Sequence, residues 1–510
     1  MSVNTTCQLL NVGHDDAIAI QAPGRPPLNY SSIRALSKRT RQALTQAGIA
    51  KSDRVAIVLP NGPEMATAFV TISGASTTAP LNPAYRQEEF EFYLVDLKAK
   101  ALVVEADSAS PAVAAAQKLG IPLITLVTDS SRAAGDFDLI FDSATPRAPT
   151  ANDEVNEDDV ALILHTSGTT SRPKIVPLNH RNVTNSAENI MNTLLLVPED
   201  RCLNIMPLFH IHGLIATVLS SLRAGASIYC TPGFNALKYF GWMDDAKPTW
   251  YSAVPTMHQA ILTRASRNTD IINAVPLRFI RSSSSSLPPQ VMTELEKTFN
   301  APVIEAYGMT EAAHQMASNP LPPAVRKAGT VGIAAGPEVG IMNLEGEILP
   351  NGEIGEIVIR GSNITKGYEN NPKANKENFT NGWFRTGDQG VLDPEGYVSI
   401  TGRLKEIINR GGEKISPREV DEILMDHPAV QQCVTFAMPH PKLGEEVAAA
   451  VVLKEGMTAD EKDIRTFTAQ HLADFKVPRK ILILDEIPKG ATGKLQRIGL
   501  AEKLGLAEPK

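Results

Sequence analysis

Residues Leu164 to Val176 read LHTSGTTSRPKIV, and just before them Val160-Ala-Leu-Ile-Leu164 is a short unbroken apolar run. A run of that length reads as a buried strand. It empties into a turn that gathers Thr166, Ser167, Thr169 and Thr170 around Gly168, followed by Pro173 and Lys174. A strand opening into hydroxyls, glycine and lysine suits an anion: backbone N–H groups and hydroxyls approach it, and the ammonium supplies charge. The segment is not a Walker loop, since Lys174 has no glycine before it and the GxxxxGK pattern cannot be fitted. The same composition also suits a polar surface loop, so its company in the chain decides.

Working outward, strands and helices alternate on both sides. Upstream, strands are expected at 17–20, 54–59, 101–105 and 121–127. Helices are expected at 64–74, 87–97 and 111–119, with another opening at Ser31 under a serine cap. Downstream, Ala226–Cys230, Pro248–Val254 and Leu277–Arg281 are strands, an apolar helix covers 214–222, and Ser282–Ser286 forms a turn between strand and helix that faces a cleft. Such alternation with short Gly/Pro joints means βαβ units and a doubly wound, mostly parallel sheet of the α/β class. From 327 to 400, short strands between Gly346, Gly352, Gly355, Gly361 and Gly396 suggest a β-rich subdomain, a distorted barrel. After Arg403 a unit of about a hundred residues begins, with Ser416-Pro417 opening a helix. The expected division is 1–404, an N-terminal nucleotide- and acid-binding domain, and 405–510, a small mobile α+β domain hinged at Lys405.

With 510 residues the chain is too long for one core. Apolar residues at 43% and charged residues at 21% are ordinary for a globular protein. A net charge of −7 without any Lys/Arg block argues against a nucleic-acid partner. Four scattered cysteines without disulfide or metal spacing suit a reducing compartment. The sequence has neither a secretory leader nor a run near the ~18 apolar residues of a membrane span, so a cytoplasmic location and no membrane partner are expected; oligomeric state is not legible.

Four further segments accompany the first: Tyr307-Gly-Met-Thr-Glu311, Trp383-Phe-Arg-Thr-Gly-Asp388, Gly402-Arg-Leu-Lys-Glu406 with Arg410-Gly-Gly-Glu-Lys-Ile-Ser-Pro417, and Pro488-Lys-Gly-Ala-Thr-Gly-Lys494. In that order the five resemble the signature motifs of the adenylate-forming (ANL, acyl-CoA synthetase) superfamily over nearly the whole chain. The resemblance implies two half-reactions with ATP, Mg²⁺ and coenzyme A: an acid becomes an acyl-adenylate and then a thioester. Thr166, Ser167, Gly168, Thr169, Thr170 and Lys174 would hold phosphates, Glu311 and Thr170 the metal, and Thr310 the α-phosphate. Ala306, Tyr307 and Gly308 would flank adenine, while Asp388 and Arg403 would hold the ribose. Lys494 would bridge carboxylate and α-phosphate, Lys405 would be the hinge, and Asn409, Gly411 and Gly412 would face coenzyme A. Tyr307 as plain core and Arg403 as a surface ion pair remain alternatives. Two positions depart from the family pattern, Ser171 and Ile175, where glycine is usual; Ile175 would tolerate only an extended backbone.

The acid would sit among His210, Ser283, Ser284, Ser285 and His314, a set too polar for a fatty acid. HTSGTTSRPK, PLFHIHGL, MTEAAHQMASNPLP and INRGGEKISP most resemble the oxalate–CoA ligases, a plant and fungal group within that superfamily, and the resemblance implies oxalate as the acid. A short-chain or 4-coumarate-like ligase, with His314 merely structural, is one alternative. A stand-alone adenylation module loading a carrier protein is another; it would be expected beside a carrier domain, and these residues contain none.

Overall fold

The computed structural model describes residues 3–141, 150, 153–166, 173–488 and 495–507. Two large sheets dominate. The first runs Asp138–Phe141, Leu123–Val127, Ala101–Glu105, Arg54–Val58, Thr77–Pro80, Val160–Thr166, Lys174–Asn179, with parallel inner strands and an antiparallel strand at each edge. The second runs Ile333–Ala334, His314–Ser318, Val303–Met309, Phe279–Ser282, Trp250–Ala253, Arg201–Asn204, Ser227–Cys230, Ile18–Gln21, Leu28–Asn29. It is parallel from Val303–Met309 through Ile18–Gln21.

Both sheets are apolar on both faces, as parallel sheets covered by helices must be. In the first, Val55 and Ile57 point into a core shared with the second sheet, while Ala56 and Val58 point outward under separate helices. In the second, Trp250, Phe279 and Ile304 face the shared core, and Tyr251, Ile280 and Val303 face away. Helices Pro63–Ser73 and His180–Thr193 and the π-helix His212–Leu219 fill that shared layer. The first has ten of its eleven residues buried, as expected for a helix packed on all sides.

A third, antiparallel sheet combines Glu338–Met342, Gly355–Arg360, Phe379–Thr380, Trp383–Leu392 and Val398–Arg403. It is not the expected barrel: its outer strands Glu338–Met342 and Val398–Arg403 pair inward only and never close on each other. The fourth sheet belongs to the C-terminal unit, with Glu413–Ile415, Ile408–Arg410, Gly444–Leu453 and Val430–His440 in order and Lys480–Ile483 parallel to Gly444–Leu453. It has its own two clusters of buried side chains.

Two local expectations are corrected. The helix Tyr30–Gln46 is capped by Asn29, whose side chain accepts from the Ser32 N–H, rather than by a serine. The apolar run at 214–222 is a π-helix from His212 to Leu219 continued by an α-turn at Ser220–Arg223; an apolar stretch buried all round gives no period by which to tell the two apart. The Ser416 cap and Pro417 start are as read. No described helix is long and apolar enough to cross a membrane.

Candidate active site

The carboxyl ends of the parallel strands in the two large sheets carry most of the expected residues, where open α/β sheets bind ligands. Val160–Thr166 and Lys174–Asn179 form an antiparallel pair that brings Thr166 opposite Lys174. Ile175 lies in the second of these strands, extended as its branched side chain requires. Ser167, Gly168, Thr169 and Thr170, like Lys494, fall outside the described residues.

Lys174 carries its ammonium 4.4 Å from the centre of the Tyr368 ring. The Tyr368 hydroxyl donates to Glu311 Oε1 at 2.7 Å, and Thr365 N–H donates to the Glu311 carbonyl at 2.7 Å. Glu311 is 5% exposed. Burial raises its carboxyl above the usual range, and the Tyr368 hydroxyl and the Lys174 charge partly offset that. Among the described residues no three His, Cys, Asp or Glu side chains converge on a point. One buried carboxylate that has no ion-pair clamp among the described residues fits Mg²⁺, which commonly takes one or two carboxylates and completes its shell with substrate phosphates and water.

Strand Val303–Met309 supplies Ala306, Tyr307 and Gly308. The Tyr307 hydroxyl donates to Asp388 Oδ2, and Arg403 Nε donates to Asp388 Oδ1 at 3.1 Å. Asp388 and Arg403 are register partners across their antiparallel strands, so sheet geometry sets that pair. Asp388, 5% exposed, still has free lone pairs, because a carboxylate accepts about four hydrogen bonds. Gly308 is required here: a Cβ would lie 2.0 Å from the His314 carbonyl oxygen. Thr310–Ala312 forms a 3₁₀ turn, and Ala313 and His314 at φ +47° and +103° reverse the chain into His314–Ser318.

The residues expected at the acid lie on strand His314–Ser318, just before the π-helix and in the turn after Phe279–Ser282. The His314 ring packs edge-on against His212, with centroids 5.0 Å apart. His212 Nδ1 meets Ser284 Oγ at 2.9 Å and its Nε2 meets Ser252 Oγ at 2.6 Å. His210 Nδ1 accepts the His212 backbone N–H at 3.3 Å. Ser285 is exposed. Ser283 departs from expectation: its hydroxyl donates to the Ala306 carbonyl at 2.8 Å, so its single proton is not free for a substrate carboxylate. Behind this group lies Arg281, 0% exposed, which sequence reading missed together with Tyr368. A signal existed: an arginine at an inward position of a strand that must be apolar on both faces.

In the C-terminal unit, Lys405 is exposed in the turn between Val398–Arg403 and Ile408–Arg410. Asn409, Gly411 and Gly412 form the following hairpin, with both glycines at positive φ. Helix Pro417–Asp426 meets the third sheet: Arg418 Nη1 donates to the Ile400 carbonyl at 2.7 Å and the Ser416 hydroxyl to that of Thr401.

This chain belongs to the AMP-binding enzyme family, whose sequence model matches residues 11–369, with the AMP-binding enzyme C-terminal domain matching 419–494. It is 46% identical over 493 residues to an oxalate–CoA ligase of Arabidopsis thaliana, covering 94% of each chain. It is 45% identical over 476 residues to an oxalate–CoA ligase of Saccharomyces cerevisiae, covering 89% of this chain and 87% of that one. Among solved structures, ATP-bound MatB from Rhodopseudomonas palustris superimposes with a TM-score of 0.85 at 30% identity, covering 97% of both chains.

Proposed function

We propose that this chain is an AMP-forming acid–CoA ligase whose acid is oxalate. In the first half-reaction an oxalate oxygen attacks the α-phosphorus of ATP, the bond to the leaving diphosphate breaks, and oxalyl-adenylate forms. In the second, the coenzyme A sulfur attacks the activated carbonyl, AMP leaves, and the thiol proton passes to solvent. Catalysis of this kind is positioning and charge neutralisation. Thr166, Ser167, Gly168, Thr169, Thr170 and Lys174 hold the phosphates, and Tyr307 with Ala306 and Gly308 flanks adenine. Asp388, kept in place by Tyr307 and Arg403, accepts the ribose hydroxyls, and Thr310 donates to the α-phosphate. Glu311 and Thr170 would hold Mg²⁺, which would supply neutralisation of phosphate charge. Lys494 bridges the two reacting groups.

The C-terminal unit, 405–510, turns about Lys405 between the half-reactions and then offers Asn409, Gly411 and Gly412 to coenzyme A. The exposed turn at Lys405 and the few polar contacts of the Pro417 helix with the third sheet support that reading.

The acid end carries the choice of oxalate. His212, His314, Ser284 and Arg281 converge there, and a dianion buried without donors would cost several kcal/mol. A 4-coumarate or fatty acid would meet these polar groups with apolar carbon. The test is an initial-rate screen of AMP release with ATP, Mg²⁺, coenzyme A and oxalate, malonate, acetate, 4-coumarate or a fatty acid. Oxalate should give the highest kcat/KM. A higher value for acetate or a fatty acid would leave the ligase class and remove the substrate.

A further inference from the structure

Arg281 and Ser252 are register partners on neighbouring strands, and both face the layer that holds the π-helix. Arg281 is fully buried, yet among the described residues no carboxylate lies within ion-pairing distance of it. Its Nη1 meets Ser252 Oγ and His212 Nε2, each at 3.5 Å, and its Nη2 meets Gln315 Oε1 at 3.4 Å. Burial lowers the guanidinium to about 9, so it remains charged at neutral pH.

An arginine can only donate, and that fact gives the surrounding bonds one direction. Beside Arg281 Nη1, His212 Nε2 is an acceptor, and Ser252 accepts from Arg281 while donating to Nε2. The histidine proton therefore sits on Nδ1 and is donated to Ser284 Oγ, 2.9 Å away. With its oxygen already accepting, Ser284 has its own proton to give elsewhere. Ser284 is half-buried at the rim of the site and holds φ +72°, a left-handed backbone that a residue other than glycine rarely adopts and that gathers at ligand-binding positions.

We propose that Arg281, through Ser252 and His212, fixes the Ser284 hydroxyl as a donor to the carboxylate of the acid that is not activated. Ser284 is then the specificity contact, and Arg281 and His212 are positioning residues. The inference rests on the dicarboxylate reading above and assigns the part of the site that selects it. The buried positive charge also lies behind the point where the second negative charge arrives, so each bond of the relay is polarised toward the substrate.

Ser284→Gly tests the contact without threatening the fold, because glycine adopts φ +72° freely. Its Tm should equal or exceed that of the unaltered protein. Its KM for oxalate should rise roughly 10- to 100-fold, the loss of one hydrogen bond to a charged group, with a much smaller change in kcat. The ratio of kcat/KM for oxalate over acetate should fall with it. Arg281→Met, similar in volume and uncharged, should raise the oxalate KM in the same sense, and Arg281→Lys, which also only donates, should recover part of the loss. A general structural role would lower kcat and Tm together and would not discriminate between the acids. Unchanged oxalate KM in Ser284→Gly, with normal turnover by the unaltered protein, overturns the relay alone. Absence of oxalate turnover by the unaltered protein overturns the substrate reading and this relay's ligand with it.

Discussion

At the scale of single residues, the proposed mechanism divides the chemistry between Lys494 and His314. In that proposed mechanism Lys494 acts on charge that develops at the α-phosphate, so Lys494→Ala should slow adenylation by ~10²–10³. Thioester formation from supplied acyl-adenylate should be spared, and equal losses in both half-reactions would contradict its assigned role. His314 packs on His212 at the acid end, so His314→Val should lower kcat/KM for oxalate by about 1–3 kcal/mol while acids with one carboxylate lose less. Initial rates with oxalate and acetate measure the difference. The motifs make the proposed nucleotide residues legible because each motif is contiguous in the chain. The acid end is different. Arg281, Ser252 and His212 lie on three separate elements, and only strand register and the π-helix unite them. Local periodicity carries no trace of that meeting, nor of why Ser283 donates to the Ala306 carbonyl while the adjacent Ser284 meets His212.

At the scale of elements, the sequence was read to the residue where caps and breakers bracket a segment. Helix Pro111–Leu119 starts with proline after the Ser110 cap and stops at Gly120 in a left-handed conformation. Strand Ala101–Glu105 is as expected. Reading failed where the outcome depended on partners. Whether the strands of 338–403 curl shut or stay open is decided by which edges meet, and the Asn29 cap competed with two nearby serines. The antiparallel return after Glu311 offers an element-level test. Gly308→Ala would drive a Cβ into backbone, not into a flexible side chain, and should destabilise by at least about 1–3 kcal/mol. Urea denaturation would measure it, and an unchanged midpoint would show that the two strands can separate without cost.

At the scale of the molecule, a buried acid of the second sheet feels the charges of the C-terminal unit. Glu305, 4% exposed with Oε2 unpartnered in the structure, is raised to about 7, chiefly by burial, with Arg418 lowering and Glu422 raising it. The folded protein thus keeps this proton to higher pH than the unfolded chain, whose carboxyl loses it near 4.5. Stability contributed by the protonated form is complete below that value and is lost as pH rises toward 7, by up to about 3 kcal/mol. Glu305→Gln should therefore raise Tm at pH 8 and leave it nearly unchanged at pH 4, and equal shifts at both would contradict the assignment. The bonds from Ser416 and Arg418 to the third sheet must open if the unit rotates. Lys405→Pro, which fixes φ at the exposed turn, should impair one half-reaction far more than the other, whereas normal rates in both would remove Lys405 as the hinge.

The most direct test of the central claim is a competition. The unaltered protein is given ATP, Mg²⁺, coenzyme A and equal concentrations of oxalate, malonate and acetate, and the thioesters formed are identified by mass. One added methylene should cost malonate roughly 10–200-fold against oxalate, and acetate offers no second carboxylate to Ser284 and His314. Oxalyl-CoA as the dominant product is the expected result; acetyl-CoA or malonyl-CoA in excess would contradict it.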